Sequence, residues 1–225
     1  MTNAERPTTP SEGFSPSLRA QLLATEHWSL LASRSTTQNE LLVRIAIFLT
    51  LVSASVVSLA LIGQATDFDE RFDAFTIVLF SILLLVGTLT LLRVYNGGEE
   101  DHAYVIGMNR LRAAYAELDP GIGRYLITST RDDERGVSQT YAYFPHSSWL
   151  VQLVASSWTF ILVVDAVVSG TLAGLVVNAA DASGTVIAIA SAAAGASYIA
   201  AWALWFLHRI TATGREYKAL FPHPS

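Results

Sequence analysis

Residues 159–174 read TFILVVDAVVSGTLAG, an apolar and small-residue run with a single carboxylate, Asp165. It belongs to a longer run, 149–180, that carries no other charge, and runs 45–63, 74–92 and 182–207 carry none at all. A helix crossing the hydrocarbon core needs about 20 mostly apolar residues, because the core is about 30 Å thick and each residue rises about 1.5 Å. All four runs reach that length. The rest of the composition agrees. Of 225 residues, 52% are hydrophobic and 15% charged, against roughly 25% charged in an average soluble domain, and the mean hydropathy is +0.40. The runs predict an all-α integral membrane protein with four transmembrane helices in two hairpins, joined to cytoplasmic amphipathic helices.

The first run begins near residue 41, behind the polar stretch MTNAERPTTPSEGFSPS. That stretch lacks the basic n-region of a cleaved signal, so the run is expected to remain in the membrane. With spans at 41–63, 75–95, 149–177 and 184–208, thirteen of the fourteen Lys and Arg residues fall on one side and only Arg71 on the other. Both termini and the 96–148 segment are therefore expected in the cytoplasm, as in a multi-pass protein of the cell membrane. The absence of cysteine excludes disulfides, thiolate metal sites and thiol nucleophiles.

Residues 1–16, rich in Pro, Thr, Ser and Glu, are expected to be a disordered tail. Over 17–40 the pattern SLRAQLLATEHWSLLASRS predicts a cytoplasmic or interface-lying helix leading into the first hairpin, 41–95. Asn96-Gly97-Gly98 is expected to break the helix after the second span. In the segment 96–148, Tyr104, Met108, Leu111, Tyr115 and Leu118 are spaced 4, 3, 4 and 3 apart. That spacing lines one face of an amphipathic helix over 99–118, stopped by Asp119-Pro120-Gly121. The stripe must pack on the N-terminal helix, a neighbouring subunit, or both. Short extended pieces are expected around 125–128 and 140–144, before the second hairpin at 149–208 and a cytoplasmic tail at 209–225.

The segments EHWSLLASRSTTQNELLVRIAIFL and EEDHAYVIGMNRLRAAYAELDPGIGRYLITSTRDDERG, with the four-span layout, resemble an uncharacterised family of bacterial four-transmembrane-helix membrane proteins. The resemblance implies a topology and no catalytic residues. The layout is also similar, more weakly, to SLATT-type membrane effectors, which are proposed to form pores. This chain departs from them by a second hairpin.

No Gly-rich phosphate loop, H-E-x-x-H, G-x-S-x-G or CxxC pattern occurs, so an enzyme is not expected, nor a cofactor. Glu99 and His102 are three apart but lack a second matching pair, and no metal site is expected. The run Asp132-Asp133-Glu134 reads as a solvated loop rather than a Ca²⁺ site, since no Asx/Gly spacing follows it. The cytoplasmic parts balance thirteen basic residues with thirteen acids, which excludes a field that would draw nucleic acid. The outer loops carry Asp67, Asp69, Glu70, Asp73 and Asp181 against Arg71, most simply the solubilising turns of hairpins.

The spans carry small-residue stripes: Ala166, Gly170 and Gly174 in the third, and Ala188, Ala192, Ala196 and Ala200 in the fourth, with Ser191 four before Gly195. Lipid supplies no hydrophobic drive between helices, so such stripes mark helix–helix contact. With faces to spare, the chain is expected to form a homo-oligomer in the lipid bilayer. Counted from Trp149, Asp165 falls about 24 Å along its span, at or beyond the midplane. An acid there costs about 2.5–3.5 kcal/mol, so it should face the bundle or a water path. Ser169 lies on the same face, and Gln152 and Ser156 would extend a polar track. The leading expectation is an oligomeric ion permeation path gated by the cytoplasmic helices, with Asp165 as a pore-lining acid. The other is an acid tied to Ser53, Ser55 or Ser191 in a non-conducting scaffold or sensor that binds a cytoplasmic protein partner.

Overall fold

The computed structural model describes residues 14–141, 156–213 and 218–223. Most of the expected N-terminal tail, Gln152 and the start of the third span at Trp149 lie outside the described residues. Four helices are long and apolar enough to cross a membrane, and no strand occurs among the described residues. The protein is an all-α, multi-pass membrane protein.

Helix α1 is Pro16–Thr66. Ser15 caps it, its hydroxyl accepting the Leu18 amide at 3.3 Å, and Pro16 takes the first helical position, where a missing N–H is no loss. Residues 17–62 contain neither Gly nor Pro, so nothing interrupts the helix between the expected juxtamembrane segment and the first span. They are one element. The helix ends in a Schellman-type closure, in which the Phe68 amide donates to the Gly63 carbonyl at 3.1 Å while Asp67 and Phe68 adopt positive φ (49° and 56°). Asp69 then caps helix α2, Glu70–Leu118, by accepting the amides of Arg71 (3.0 Å) and Phe72 (3.2 Å).

Helix α2 runs through Asn96-Gly97-Gly98, where a break was expected. Two interior glycines cost about 1 kcal/mol each relative to alanine. Here tertiary contacts offset that. Gly97 admits the Leu41 side chain, which any Cβ would strike. Arg93 bridges Glu40 (3.1 Å) and Glu100 (2.9 Å), and Arg34 meets Asp101 at 2.6 Å. Gly97 is a close-approach device, and neither glycine terminates the helix.

Asp119 ends α2 as expected and caps a 3-10 helix, Pro120–Tyr125, by accepting the Gly121 amide at 2.9 Å. Helix α3, Glu134–Tyr141, follows; of the piece expected at 125–128, Leu126 is extended but no strand forms, Thr140 is helical, and 142–144 lie outside the described residues. Helix α4, Ser157–Asn178, and helix α5, Gly184–Thr213, make the second hairpin.

Two compact units result. The apolar unit holds Arg34–Ala103 and Phe144–Lys218. Its core joins Phe48 of α1, Leu91 of α2, and Ile161 and Leu162 of α4, with Tyr198 and Trp202 of α5 packed against them. Near the C-terminal end of α5, Tyr95 and Trp205 lie 4.7 Å apart between ring centroids and Trp158 and Phe206 5.3 Å apart, with the Arg209 guanidinium over Trp205. Aromatic rings beside a basic residue are typical of a membrane–water interface. Val56, Leu61, Leu85, Val167 and Leu204 point outward and are more than half exposed, as suits helices facing hydrocarbon. The polar unit holds Met1–Ser33, Tyr104–Tyr143 and Ala219–Ser225. Its core is Val105 and Met108 of α2 and Val137 of α3, with Leu30 of α1 packed on them.

Candidate functional site

Asp165 is fully buried in the apolar unit. It lies eight residues after Ser157, so about 12 Å into a helix about 33 Å long, where a start at Trp149 implied about 24 Å. The Tyr198 hydroxyl of α5 donates to its Oδ2 at 2.9 Å, and Thr88 Oγ1 of α2 lies 2.9 Å from the same hydroxyl. A tyrosine hydroxyl has one proton. With that proton on Asp165, Thr88 must be the donor to Tyr198, and the three groups form a directed chain from Thr88 to Tyr198 to Asp165. Each bond polarises the next. Gly87, beside Thr88, makes the space: a Cβ there would overlap the carboxylate. Oδ1 of Asp165 has no hydrogen-bond partner among the described residues.

Of the residues expected to extend a polar track, one is engaged elsewhere. Ser156 caps α4, accepting the Thr159 amide at 3.2 Å. Ser169 is half-buried one turn beyond Asp165, and Gln152 lies outside the described residues. Nor do the expected tying partners reach the acid. Ser53 and Ser55 donate to carbonyls of their own helix, Leu49 (2.9 Å) and Leu51 (2.7 Å), while Ser191 faces Gly174. Sequence reasoning missed Tyr198, Thr88 and Gly87. The signals were present: a lone phenol in the alanine-rich fourth span, and a Gly-Thr pair in the second.

The third-span stripe joins α4 to α5. Ala166, Gly170 and Gly174 are buried. A Cβ on Gly170 would come 2.8 Å from the Ser191 carbonyl oxygen, and one on Gly195 2.9 Å from that of Ala166. Ser191 and Gly195 thus meet the stripe, and Ala192, Ala196 and Ala200, one residue out of register, lie on the exposed side of α5.

In the polar unit, the face of Tyr104, Met108, Leu111, Tyr115 and Leu118 is covered within the chain. Met108 and Leu111 are buried, and Tyr104, Tyr115 and Leu118 are half-buried. Leu30 and Val137 pack against Met108, and His27 stacks on Tyr115 at 5.9 Å between centroids. Burial, then the Arg112 cation, holds the His27 imidazole below its ordinary pKa, and burial raises that of the Tyr115 phenol. Asn109, unremarked in the sequence, is fully buried and holds the Arg131 carbonyl (2.7 Å) while accepting from Arg112 (2.8 Å) and Thr140 (3.0 Å).

Asp132-Asp133-Glu134 is not a solvated loop. Asp132 is fully buried, bonded to Arg110 (2.8 Å) and to two backbone amides of the C-terminal segment. Asp133 caps α3 through Gly136 (2.9 Å) and holds His223. These bonds, that of the His223 amide foremost, hold the Asp133 carboxyl down at about 2. Glu99 and His102 are exposed, and no group of three metal-ligating side chains occurs among the described residues. Comparison of the chain with protein-family models, curated proteins and solved structures finds no match.

Proposed function

We propose that this chain is a non-enzymatic, membrane-anchored scaffold or sensor. Its spans hold the polar unit at the cytoplasmic face of a cell membrane, and that unit engages a protein partner. The closure of Asp165 carries this reading. The one carboxylate within the described spans is buried against Gly87 and hydrogen-bonded to Tyr198, while Ser156 is engaged as a helix cap. A buried acid joined to two other helices acts as a clasp. The continuity of α1 and α2 supports the same reading, since each helix contributes residues to both units. The cytoplasmic side follows from the distribution of basic residues.

An oligomeric ion path is the second reading. It is favoured by the unpartnered Oδ1 of Asp165 and by the exposed Ala192, Ala196 and Ala200, which suit close approach of another copy. Reconstitution into dye-loaded vesicles separates the two. The scaffold reading expects ion flux equal to that of empty vesicles. Flux above that level, abolished by Asp165→Asn, would overturn it in favour of the path.

A further inference from the structure

The C-terminal segment of the polar unit is held in an unusual way. Leu220 is 64% exposed and Pro222 is exposed, while Ala219, Phe221 and His223 are half-buried and no side chain of the segment is fully buried. Its backbone does the work. The amides of Leu220 and Phe221 donate to Oδ2 and Oδ1 of Asp132, at 2.9 and 2.8 Å. The His223 amide donates to Asp133 Oδ2 at 2.7 Å, and His223 Nδ1 lies 2.8 Å from both oxygens of that carboxylate. In return the Asp132 amide donates to the Phe221 carbonyl (3.4 Å), and Arg131 Nη1 to that of Pro222 (3.4 Å). Over 220–223 every backbone N–H is bound, and the one residue without an N–H, Pro222, falls between the donors to Asp132 and the donor to Asp133.

The receiving side is organised by groups of its own. Asn109 of α2 fixes the Arg131 carbonyl, Arg110 of α2 bonds Asp132, and Asp133 is anchored as the cap of α3. None of these contacts requires the C-terminal segment. Rigid acceptors that match a backbone more than particular side chains are the means by which extended peptides are recognised. We propose that Asp132 and Asp133 form a receptor for an extended peptide segment, with residues 219–223 of this chain as its resident ligand. The inference is independent of whether the spans conduct.

The test uses the full chain in detergent and a fluorescein-labelled, N-acetylated peptide of residues 218–225. Leu220→Pro with Phe221→Pro removes both amides donated to Asp132 and leaves the receptor unchanged. This double variant should bind the peptide saturably in fluorescence anisotropy. Wild type should bind at least about tenfold more weakly, because its tethered segment competes at high effective concentration. Adding Asp132→Asn to the double variant should weaken binding to the same extent. A double variant with wild-type helical content and no saturable binding overturns the proposal. If that variant does not fold, hydrogen exchange of the wild type decides: the amides of Leu220, Phe221 and His223 should exchange at least about tenfold more slowly than that of Ala219. Equal rates overturn the proposal as well.

Discussion

Asp132 and Asp165 are both fully buried, yet their surroundings have little in common. Asp132, in the polar unit, accepts from a guanidinium and two backbone amides. Asp165, within a span, accepts one hydroxyl and leaves one oxygen without a partner among the described residues. A buried carboxylate next to water must match the hydration it gives up, and one charged donor with two amides does so. Inside a bilayer the competing state is also apolar, so a single interhelical hydrogen bond suffices to hold the side chain inward. The first acid organises its unit by being saturated. The second ties helices together and retains chemical capacity.

The largest effect should come from Asp132→Ala. It leaves the Arg110 guanidinium short of a charge partner and two amides without acceptors. The expected loss is about 3 kcal/mol, toward the lower bound for breaking a buried pair because Arg110 is partly exposed. Denaturant unfolding monitored in the polar unit measures it. A loss below about 1 kcal/mol would erase the contrast with Asp165.

Next is Gly87→Ala, whose methyl group would overlap the Asp165 carboxylate. Overpacking of this kind costs about 1–3 kcal/mol. In the Asp165→Ala background the same change should cost almost nothing, so a double-mutant cycle in thermal unfolding should show strong coupling. Gly98→Ala is the control. Nothing lies near its Cβ position, and the gain in helix propensity should stabilise by up to about 1 kcal/mol. Additivity of Gly87→Ala and Asp165→Ala would remove the close packing from the account.

Tyr198→Phe deletes both bonds of the chain from Thr88 to Asp165 and should cost about 0.6–2 kcal/mol. Asp165→Asn keeps an acceptor for Tyr198 and should cost less. A reversed order would mean that charge, not the hydrogen bond, holds the helices together.

The smallest effect concerns pH. The Asp133 carboxyl is lowered from 3.8 to about 2. A depressed carboxylate contributes stability that is present above the unfolded value and lost as pH falls through the folded one. Docking of the C-terminal segment, followed by quenched hydrogen exchange after short incubations, should therefore weaken between about pH 4 and pH 2. Asp133→Asn should flatten that dependence. An unchanged profile would show that Asp132 alone holds the segment.

Helices are legible in this chain where a local property decides them. The length and apolarity of the four runs placed the spans, because insertion depends on each segment's own transfer into hydrocarbon. Asp119-Pro120-Gly121 ended α2 for a similarly local reason, a capping side chain followed by a fixed φ. Asn96-Gly97-Gly98 misled, because two glycines are weak helix formers by themselves yet are tolerated where Leu41 packs on Gly97 and the Arg93 ion pairs hold the helices together. That Asp165 would turn inward followed from its charge alone. Its partners did not, since Tyr198 is 33 residues away and the rotation of α5 about its axis chooses between Tyr198 and the serines. The Asp132 site was hidden for the same reason at longer range. Its amide donors lie 88 and 89 residues downstream, and no periodicity records which distant backbone a carboxylate will meet. Sequence alone determined what enters the membrane, because that is settled segment by segment; only the tertiary structure decided which polar groups are satisfied by which, because that requires the helices to be packed.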